Sequence, residues 1–436
     1  MLVATKQGTS EHDRALSRLC DRGEADFAKA EPVVREILAA VKSEGDVAVR
    51  RYVEKFEKRS PRTLFSRDIG GEAALGRLPR EARDALTHAA TRIRAFHERE
   101  RAATFGGEGG FRDEKDGLLL GLRLRPIEKV GVYAPGGKAR YPSSVLMSAI
   151  PARVAGAREV ILATPLAGDR TDDALLAAAH LGGVTAIVDC GGAQAIAALA
   201  YGTQEIPRVD KIVGPGNAWV ACAKRLVFGA VDIDAIAGPS EILVVADRSA
   251  NPAVIAADLL SQAEHDEDAY ALLLTTEADL VARVDEELAR QLEDLPRAAI
   301  AAESLRRHGH AFVVSDRNAL ARTASALAPE HLALHVEDAE GLLAEIPHAG
   351  AAFLGALTPE AAGDYVAGPS HVLPTGGAVR FGSPLGVHDF IARTSIIRYT
   401  ADALRRDEAS ITTLARLEGL EAHARAVTVR LRGRPS

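Results

Sequence analysis

The stretch KVGVYAPGGKARYPSSVLMSAIPARVAGAREVILAT, residues 129–164, decides the fold class of this chain. It holds a short apolar run, a glycine-rich turn, a helical stretch and a second short apolar run. This order predicts a strand, a crossover helix and a parallel strand, because parallel neighbours need such a connection.

The same alternation continues towards the C-terminus. Further short apolar runs lie at 186–190, 211–214, 241–247, 270–276, 311–316, 332–336 and 351–355. Helical stretches separate most of these runs, which predicts parallel sheets covered by helices on both faces. Since the strands outnumber those of one ordinary sheet, we predict two α/β units.

The flanking segments follow other patterns. Apolar positions at helical spacing in 32–57 and 79–99 predict helices, and the partial alternation of GLLLGLRLR (117–125) predicts a strand. The tail, rich in Arg and Glu, predicts a helix over 408–432.

Composition excludes several classes of protein. The chain has 436 residues, 47% of them hydrophobic and 26% charged, so a sizeable core can form. Its net charge of −7 argues against a nucleic-acid partner. No apolar run is long enough for a membrane span, and MLVATKQGTSEHDR lacks the pattern of a signal peptide. Without a C-x-x-C pair, Cys20, Cys190 and Cys222 fit a reducing cytoplasm, and we predict that Cys190 and Cys222 are buried structural thiols.

Four polar residues are candidate metal ligands. Gln262 and His265 lie in LLSQAEHDEDA (259–269), where a helix with a spacing of three would place both on one face. Asp364 lies in a stretch rich in Gly and Pro, and His423 lies in the tail. Nitrogen and oxygen donors suit Zn²⁺ and also Mn²⁺ or Co²⁺. Pattern alone leaves structural histidines open, because 13 histidines offer many such quartets.

An acidic and an imidazole side chain are adjacent in Pro329-Glu330-His331. Such a pair offers two bases of different pKa, which suits proton transfer in two steps. On a regular strand the two would point to opposite faces, so a shared site needs the irregular backbone that Pro329 favours. The alternative is an ordinary polar start of a strand.

Glycine-rich turns adjoin four of the apolar runs, at 133–144, 191–195, 214–218 and 237–241. Each could place backbone N–H groups and a helix N-terminus against an anion. None matches G-x-G-x-x-G, so the standard dinucleotide fingerprint is absent. Because ligands gather at the carboxyl ends of parallel strands, four such turns predict a cofactor that carries phosphate.

With these motifs in this order, the chain resembles the histidinol dehydrogenase family from about residue 30 to 432. The resemblance is carried by VGVYAPGG (130–137), YPSSVLMSAIPARVAG (141–156), GGAQAIAALAYGT (191–203), VDKIVGPGNAWVACAKR (209–225), AGPSEILVVAD (237–247), DLLSQAEHD (258–266), APEHL (328–332), GDYVAGPSHVLPTGG (363–377) and EGLEAHA (418–424).

The resemblance implies a role for each candidate. It implies one Zn²⁺ per subunit, held by Gln262, His265, Asp364 and His423. It implies that Glu330 and His331 are the catalytic acid/base pair and that NAD contacts Tyr133, Gln194 and Asn217. It implies substrate contacts at Ser240, Gln262, His265, His331, Asp364, Glu418 and His423. The implied reaction oxidises L-histidinol through bound L-histidinal to L-histidine with two NAD⁺, the last steps of histidine biosynthesis.

The resemblance also implies two Rossmann-like, doubly wound α/β domains and an intertwined homodimer. The predicted parts are an N-terminal arm (1–30), a helical part packing with the second α/β domain (31–128), the α/β domain on the NAD side (129–237), the α/β domain with metal and catalytic residues (238–384), and a tail that reaches the partner's site (385–436).

Three alternatives differ from this function in testable ways. A related dehydrogenase on the same scaffold would act on another polar alcohol or diol. A metal hydrolase would need no nucleotide, so NAD binding separates it. A metal-binding protein without activity would fill its site and turn nothing over.

Overall fold

The computed structural model describes residues 1–22, 27–105, 109–136 and 141–432. The chain divides into two compact units, the first formed by Met1–Glu100 and Glu128–Phe390, the second by Arg101–Ile127 and Ile391–Ser436.

The strands of the described residues are numbered in chain order. They are β1 (Val3–Lys6), β2 (Phe65–Ser66), β3 (Gly110–Lys115), β4 (Leu118–Pro126), β5 (Lys129–Tyr133), β6 (Glu159–Ala163), β7 (Ala186–Val188), β8 (Lys211–Val213), β9 (Asp232–Ile233), β10 (Glu241–Ala246), β11 (Tyr270–Thr275), β12 (His310–Val313), β13 (His331–His335), β14 (Ala351–Leu354) and β15 (Ile391–Tyr399).

The α-helices are numbered in the same way. They are α1 (Ser10–Cys20), α2 (Glu31–Glu44), α3 (Asp46–Glu57), α4 (Gly71–Arg77), α5 (Arg80–Phe105), α6 (Pro142–Ala155), α7 (Asp173–Gly182), α8 (Gly192–Tyr201), α9 (Ala218–Val227), α10 (Pro252–Ala263), α11 (Ala278–Leu292), α12 (Ala298–His308), α13 (Arg317–Leu327), α14 (Ala339–Ala344), α15 (Glu360–Tyr365), α16 (Ala401–Leu417) and α17 (Glu421–Leu431). Among the described residues, no helix combines the length and apolar character needed to cross a membrane.

The first unit contains two six-stranded sheets, which confirms the predicted α/β class with parallel sheets. The first sheet has the order β2-β7-β6-β5-β8-β9, parallel except for the antiparallel pair of β2 and β7. Apart from the short edge strand β2, which comes first in the chain, the sheet starts at β5, extends outward through β6 to β7, and continues with β8 on the other side of β5. The strand order therefore reverses between β5 and β8, where open α/β sheets bind ligands.

The second sheet repeats this plan in the order β1-β12-β11-β10-β13-β14, with every pair parallel. Its order reverses between β10 and β13, and the N-terminal strand β1 is added at the edge beside β12. All nine predicted strands of the α/β region are present. The apolar side chains of β10, β11, β12 and β13 are buried on both faces, as covered parallel strands require.

The predicted packing of 31–128 against the second α/β domain differs from the structure. Helices α2 and α3 pack against α8 and α9 of the first sheet. The apolar stripe of α2, formed by Val34, Ile37, Leu38 and Val41, is buried in that core. Helical periodicity shows that a helix has an apolar face but carries no information about which of two similar sheets covers it.

The second unit holds an antiparallel sheet in the order β15-β4-β3, together with helices α16 and α17. The predicted strand over 117–125 is β4. The predicted single helix over 408–432 is two helices, because Gly419 adopts a left-handed φ of 74° and ends the first helical path. Helices α16 and α17 pack on each other.

Candidate active site

The Glu330 carboxyl and the His331 imidazole lie together at the amino-terminal edge of the second sheet. Strand β13 begins at His331, so Glu330 precedes the regular strand. Glu330 Oε2 lies 3.7 Å from His331 Nδ1, and both side chains are buried. Because Glu330 lies outside the regular strand, its side chain does not have to point to the face opposite His331, and the two side chains share one site.

One residue, Glu241, orients both of these groups through its main chain. The Glu241 N–H donates to Glu330 Oε2 at 2.9 Å, and His331 Nδ1 lies 3.0 Å from the Glu241 carbonyl oxygen. A donating Nδ1–H leaves Nε2 of the neutral imidazole as the free acceptor. The carbonyl of Glu241 therefore selects the nitrogen that can accept a proton.

Burial keeps both members of the pair in their neutral forms. Burial, with the nearby Glu241 and acidic side chains, raises the pKa of Glu330 well above its ordinary value. Burial, with the neighbouring His265 and His371, lowers the pKa of His331 to about 3. Near neutral pH the imidazole of His331 is unprotonated and can accept a proton, whereas the carboxyl group of Glu330 must lose its proton before it can act as a base.

A metal-capable group lies beside the pair. Ligand atoms of His331, Glu360 and Asp364 lie within 4.8 Å of one another. Glu360 and Asp364 are four residues apart, so one turn of helix aligns their carboxyl groups. Glu360 is buried, and within the described part of the chain its Oε2 has no hydrogen-bond partner. Burial and Asp364 raise its pKa well above the ordinary value. A bound cation would satisfy this oxygen and relieve the repulsion between the carboxylates.

Gln262 and His265 do not share a helical face, so that prediction is wrong. Helix α10 ends at Ala263, and the His265 N–H donates to the Gln262 carbonyl in the turn that follows. The following polar residues form another turn, in which the Asp268 N–H donates to Asp266 Oδ1. The prediction continued the helix past Ala263, into a polar segment whose side chains compete with the helix for backbone hydrogen bonds.

The Gln262 amide and the His265 imidazole nevertheless both interact with the metal-capable group of His331, Glu360 and Asp364. Gln262 is fully buried, and its amide nitrogen lies within hydrogen-bond reach of Glu360 Oε1 at 3.0 Å and of the Glu241 carbonyl at 3.2 Å when the amide is oriented to donate. His265 is exposed, and it lowers the pKa of Asp364, which burial raises.

The predicted NAD contacts lie at the carboxyl edge of the first sheet. Tyr133 ends β5, and its hydroxyl accepts a hydrogen bond from the Gly192 N–H at 3.0 Å. Gln194 is buried in the first turn of α8, and its amide donates to Glu57 Oε1 at 3.3 Å. Asn217 caps α9, where its side-chain oxygen accepts from two backbone N–H groups. These residues lie beside the point where the strand order reverses.

Two of the four glycine-rich turns differ from the predicted anion sites. The Gly191 N–H already donates to the Glu57 carboxylate, so a side chain of this chain occupies that helix N-terminus. The turn at 237–241 precedes β10 instead of opening a helix, and its Gly238 N–H donates to Thr375 Oγ1. Residues 137–140 of the turn at 133–144 lie outside the described residues.

The carboxyl edge of the first sheet meets the segment that carries Asp364. Ser144 Oγ, in the first turn of α6, lies 3.3 Å from His371 Nε2. His371 Nδ1 lies 3.0 Å from the Asp364 carbonyl oxygen, to which a protonated Nδ1 donates. Burial lowers the pKa of His371 to about 4, so this bridge is made by a neutral imidazole.

The remaining predicted residues lie in two places. Ser240 is half-buried directly before β10, where its carbonyl accepts from the Tyr270 N–H. Glu418 and His423 belong to the second unit, and both side chains are exposed. Their participation in the site therefore stays a prediction. Cys190 and Cys222 are buried free thiols, as predicted, and burial raises the pKa of each.

Sequence reasoning missed Glu360, His371 and Glu241. Glu360 had a signal, because its spacing of four from Asp364 is the helical repeat. Glu241 had a weaker one, as the single charge at the start of the apolar run 241–247. His371 had none apart from its nearness to Asp364 in the sequence.

Three features define a two-sheet α/β dehydrogenase architecture: two mainly parallel sheets, a buried carboxyl–imidazole pair beside a metal-capable group, and a sheet edge of the kind that binds nucleotides. The sequence profile of histidinol dehydrogenase matches residues 20–431. The chain is 51% identical over 427 residues to histidinol dehydrogenase of Syntrophotalea carbinolica, which covers 97% of each chain. It is 49% identical to histidinol dehydrogenase of Aquifex aeolicus, over 95% of this chain and 96% of the relative.

A solved structure agrees with these sequences. The crystal structure of histidinol dehydrogenase from Elizabethkingia anophelis superposes with a TM-score of 0.89 at 34% identity, covering 99% of this chain and 98% of the other. The chain therefore belongs to the histidinol dehydrogenase family of NAD-dependent oxidoreductases.

Proposed function

We propose that this protein oxidises L-histidinol through bound L-histidinal to L-histidine with two NAD⁺, and that it requires Zn²⁺. The observation that carries the proposal is the buried, neutral Glu330–His331 pair beside the metal-capable group. Two neighbouring bases suit a reaction in which one oxidation removes a proton from an alcohol and the next activates water. The names of the relatives supply the substrate.

Gln262, His265 and Asp364, with His423 from a second copy of the chain, would hold the metal. These nitrogen and oxygen donors fit Zn²⁺, and the unpartnered buried oxygen of Glu360 is consistent with a cation close by. The bound metal would orient and polarise the nitrogen-bearing end of the substrate.

His331 would serve the first oxidation. Its Nε2 accepts the hydroxyl proton while the hydride leaves the carbinol carbon for NAD⁺, which yields the bound aldehyde. Burial lowers the pKa of His331, so its Nε2 is unprotonated at neutral pH and its lone pair can take the hydroxyl proton.

Glu330 would serve the second oxidation. Its carboxylate takes a proton from water as the water oxygen adds to the aldehyde carbon, and this gives the hydrate in its anionic form, a gem-diolate. A second hydride then leaves the hydrate carbon for a second NAD⁺, which yields the carboxylic acid. A carboxylate with a raised pKa is a stronger base than an exposed one.

Further residues would bind the two substrates. Ser240 and Glu418 would hold polar ends of L-histidinol. Tyr133, Gln194 and Asn217 would contact NAD at the carboxyl edge of the first sheet, where α/β proteins commonly bind nucleotides.

Glu418 and His423 would take part through a homodimer in which residues 385–436 complete the site of the partner. Residues 129–237 would then form the Rossmann-like domain on the NAD side, and residues 238–384 the one with metal and catalytic groups. We expect the enzyme to work in the cytoplasm, which three free cysteines would suit.

The test is NADH formation from L-histidinol and from a panel of other polar alcohols, before and after chelation and after addition of Zn²⁺. We expect L-histidinol to give the highest kcat/KM, chelation to abolish turnover, and Zn²⁺ to restore it. Faster turnover of another alcohol would identify a related dehydrogenase. No NAD binding would favour a hydrolase, and a filled metal site without turnover would favour a metal-binding protein.

A further inference from the structure

We propose that Glu241 is the positioning residue for the acid/base pair and that Arg22, beside the N-terminal helix α1, holds it in place. This inference rests on the proposed roles of Glu330 and His331. It adds a function for the N-terminal segment, which contributes no residue to the predicted site.

The main chain of Glu241 is placed to orient two side chains at once. Its N–H donates to Glu330 Oε2, and its carbonyl oxygen faces His331 Nδ1. The pairing of β10 with β13 starts at Ile242, so it does not include Glu241. Both main-chain groups of Glu241 are thereby available to the pair. A displacement of Glu241 would move the carboxyl of Glu330 and the imidazole of His331 together.

The side chain of Glu241 is fixed by a buried ion pair. The Arg22 guanidinium contacts Glu241 Oε2, and the two side chains are 2% and 1% exposed. The Gly376 N–H donates to the other carboxylate oxygen, so both oxygens have partners. Burial raises the pKa of Glu241, and Arg22 acts in the opposite direction. Removal of Arg22 would leave a buried carboxylate without its countercharge, which strongly favours its displacement or protonation.

Arg22 contacts three segments beside the second sheet: the end of α1, the start of β10 and the loop before β13. It donates to the Leu19 carbonyl at 2.6 Å in the last turn of α1, and to the Ala328 carbonyl at 3.4 Å. Ala328 precedes Pro329 and has a left-handed φ of 46°. The guanidinium thus contacts Glu241 and also the backbone that leads into Glu330, so its loss would disturb the pair from two sides.

The experiment compares the wild-type enzyme with Arg22→Met, Arg22→Lys and Glu241→Gln. The control is Arg77→Met, which breaks the less buried ion pair of Arg77 with Asp173 between α4 and α7, beside the first sheet. For each we would measure kcat and KM for L-histidinol, zinc content and thermal unfolding. We expect Arg22→Met to lower kcat between about tenfold and a hundredfold, as misplacement of reacting groups does.

A positioning role predicts a particular pattern across the variants. KM should change less than about threefold. Because the Gln262 amide also reaches the Glu241 carbonyl, kcat is compared per zinc-loaded enzyme, and that kcat should still fall. Arg22→Lys should recover part of kcat, and Arg77→Met should keep the wild-type kcat. If Arg22→Met does not fold, Glu241→Gln decides, and it should lower kcat in the same direction.

The following results would overturn the inference. If the wild type is active and Arg22→Met keeps kcat within twofold, this inference alone is overturned. It is also overturned if Arg22→Met loses kcat only in proportion to its loss of folded protein or of zinc. If Arg22→Met does not fold and Glu241→Gln keeps the wild-type kcat, this inference is likewise overturned. A folded, zinc-loaded wild type without activity on L-histidinol would overturn the proposed function, and this inference with it.

Discussion

Glu330 and His331 are adjacent in the sequence, yet the same environment moves their pKa values in opposite directions. Burial disfavours the charged form of each group, which is the carboxylate of one and the imidazolium of the other. Both groups are then neutral near neutral pH, with an unprotonated nitrogen on the imidazole and a proton on the carboxyl group. This arrangement is the physical basis for the two separate proton transfers of the proposed reaction.

Glu330→Gln tests the separation of these roles. We expect the variant to keep oxidation of L-histidinol to L-histidinal within about tenfold, because His331 serves that step, and to lose about a hundredfold or more in oxidation of L-histidinal. His331→Asn should instead slow the first oxidation strongly. Separate assays with each substrate measure the two steps. Equal losses in both steps for Glu330→Gln would contradict the assignment.

His310 makes the protein sensitive to acid at a place outside the site. It is buried at the start of β12, and its Nε2 lies 2.9 Å from Thr5 Oγ1 of β1. Burial, with Arg18 and His12, lowers its pKa from the ordinary 6.5 to about 4. The unfolded chain therefore binds more protons between these values. The stability that His310 contributes is present above pH 6.5 and is lost as pH falls towards 4.

His310→Gln should remove that part of the pH dependence. Between pH 7 and pH 5 we expect the wild type to lose roughly 1–2 kcal/mol more of its free energy of unfolding than the variant does. Urea unfolding at the two pH values provides the measurement. The control is His88→Gln, since His88 is exposed. An unchanged pH dependence in His310→Gln would show that His310 takes up protons equally in both states.

At the scale of elements, buried strands were the most predictable feature and helix ends the least. Runs such as 241–247 have few alternatives, since continuous apolar residues bounded by turns need a buried strand. The end of α10 at Ala263 depends on turn formation in the acidic segment after it, and periodicity does not record that competition. For the same reason the sequence indicated Gln262 and His265 as polar residues of the site but did not predict the turn that separates them from a common helix.

The site was predictable where its chemistry is local in sequence. Glu330 and His331 are adjacent, and their shared site follows from one irregular residue at the start of β13. Arg22 and Glu241 are separated by 219 positions, so only the packing of α1 against the second sheet brings them together. No periodic pattern contains that information.

Two matched asparagine caps test the role of α9. Asn217 and Asn251 each accept backbone hydrogen bonds at the start of a helix, α9 and α10 respectively. Substitution of either by Ala should lower the free energy of unfolding by about 1 kcal/mol. Only Asn217→Ala should also raise KM for NAD, because Asn217 lies at the predicted nucleotide edge. Equal KM values in the two variants would remove Asn217 from the NAD site.

At the scale of the whole molecule, the proposed site needs residues from both compact units. The first unit supplies Glu330, His331, Gln262 and Asp364, and the second carries Glu418 and His423. The proposal assigns the last two to the site of a second copy of the chain. A homodimer with shared sites makes a distinctive prediction, because subunits with different defects can complement each other.

Co-expression of Asp364→Asn chains with His423→Asn chains tests the sharing. Each variant alone should be inactive. With random pairing, half of the dimers contain one chain of each kind, and one of their two sites is intact, so about a quarter of the wild-type activity should return. The control is the two separately expressed variants mixed without subunit exchange. An inactive co-expressed mixture that contains mixed dimers would show that each chain completes its own site.

The most direct test of the central claim is the amount of NADH formed per L-histidinol consumed by the zinc-loaded enzyme. The account predicts two NADH and one L-histidine per substrate, with no release of free L-histidinal. One NADH per substrate with accumulation of the free aldehyde would contradict it, because the acid/base pair would then serve a single oxidation.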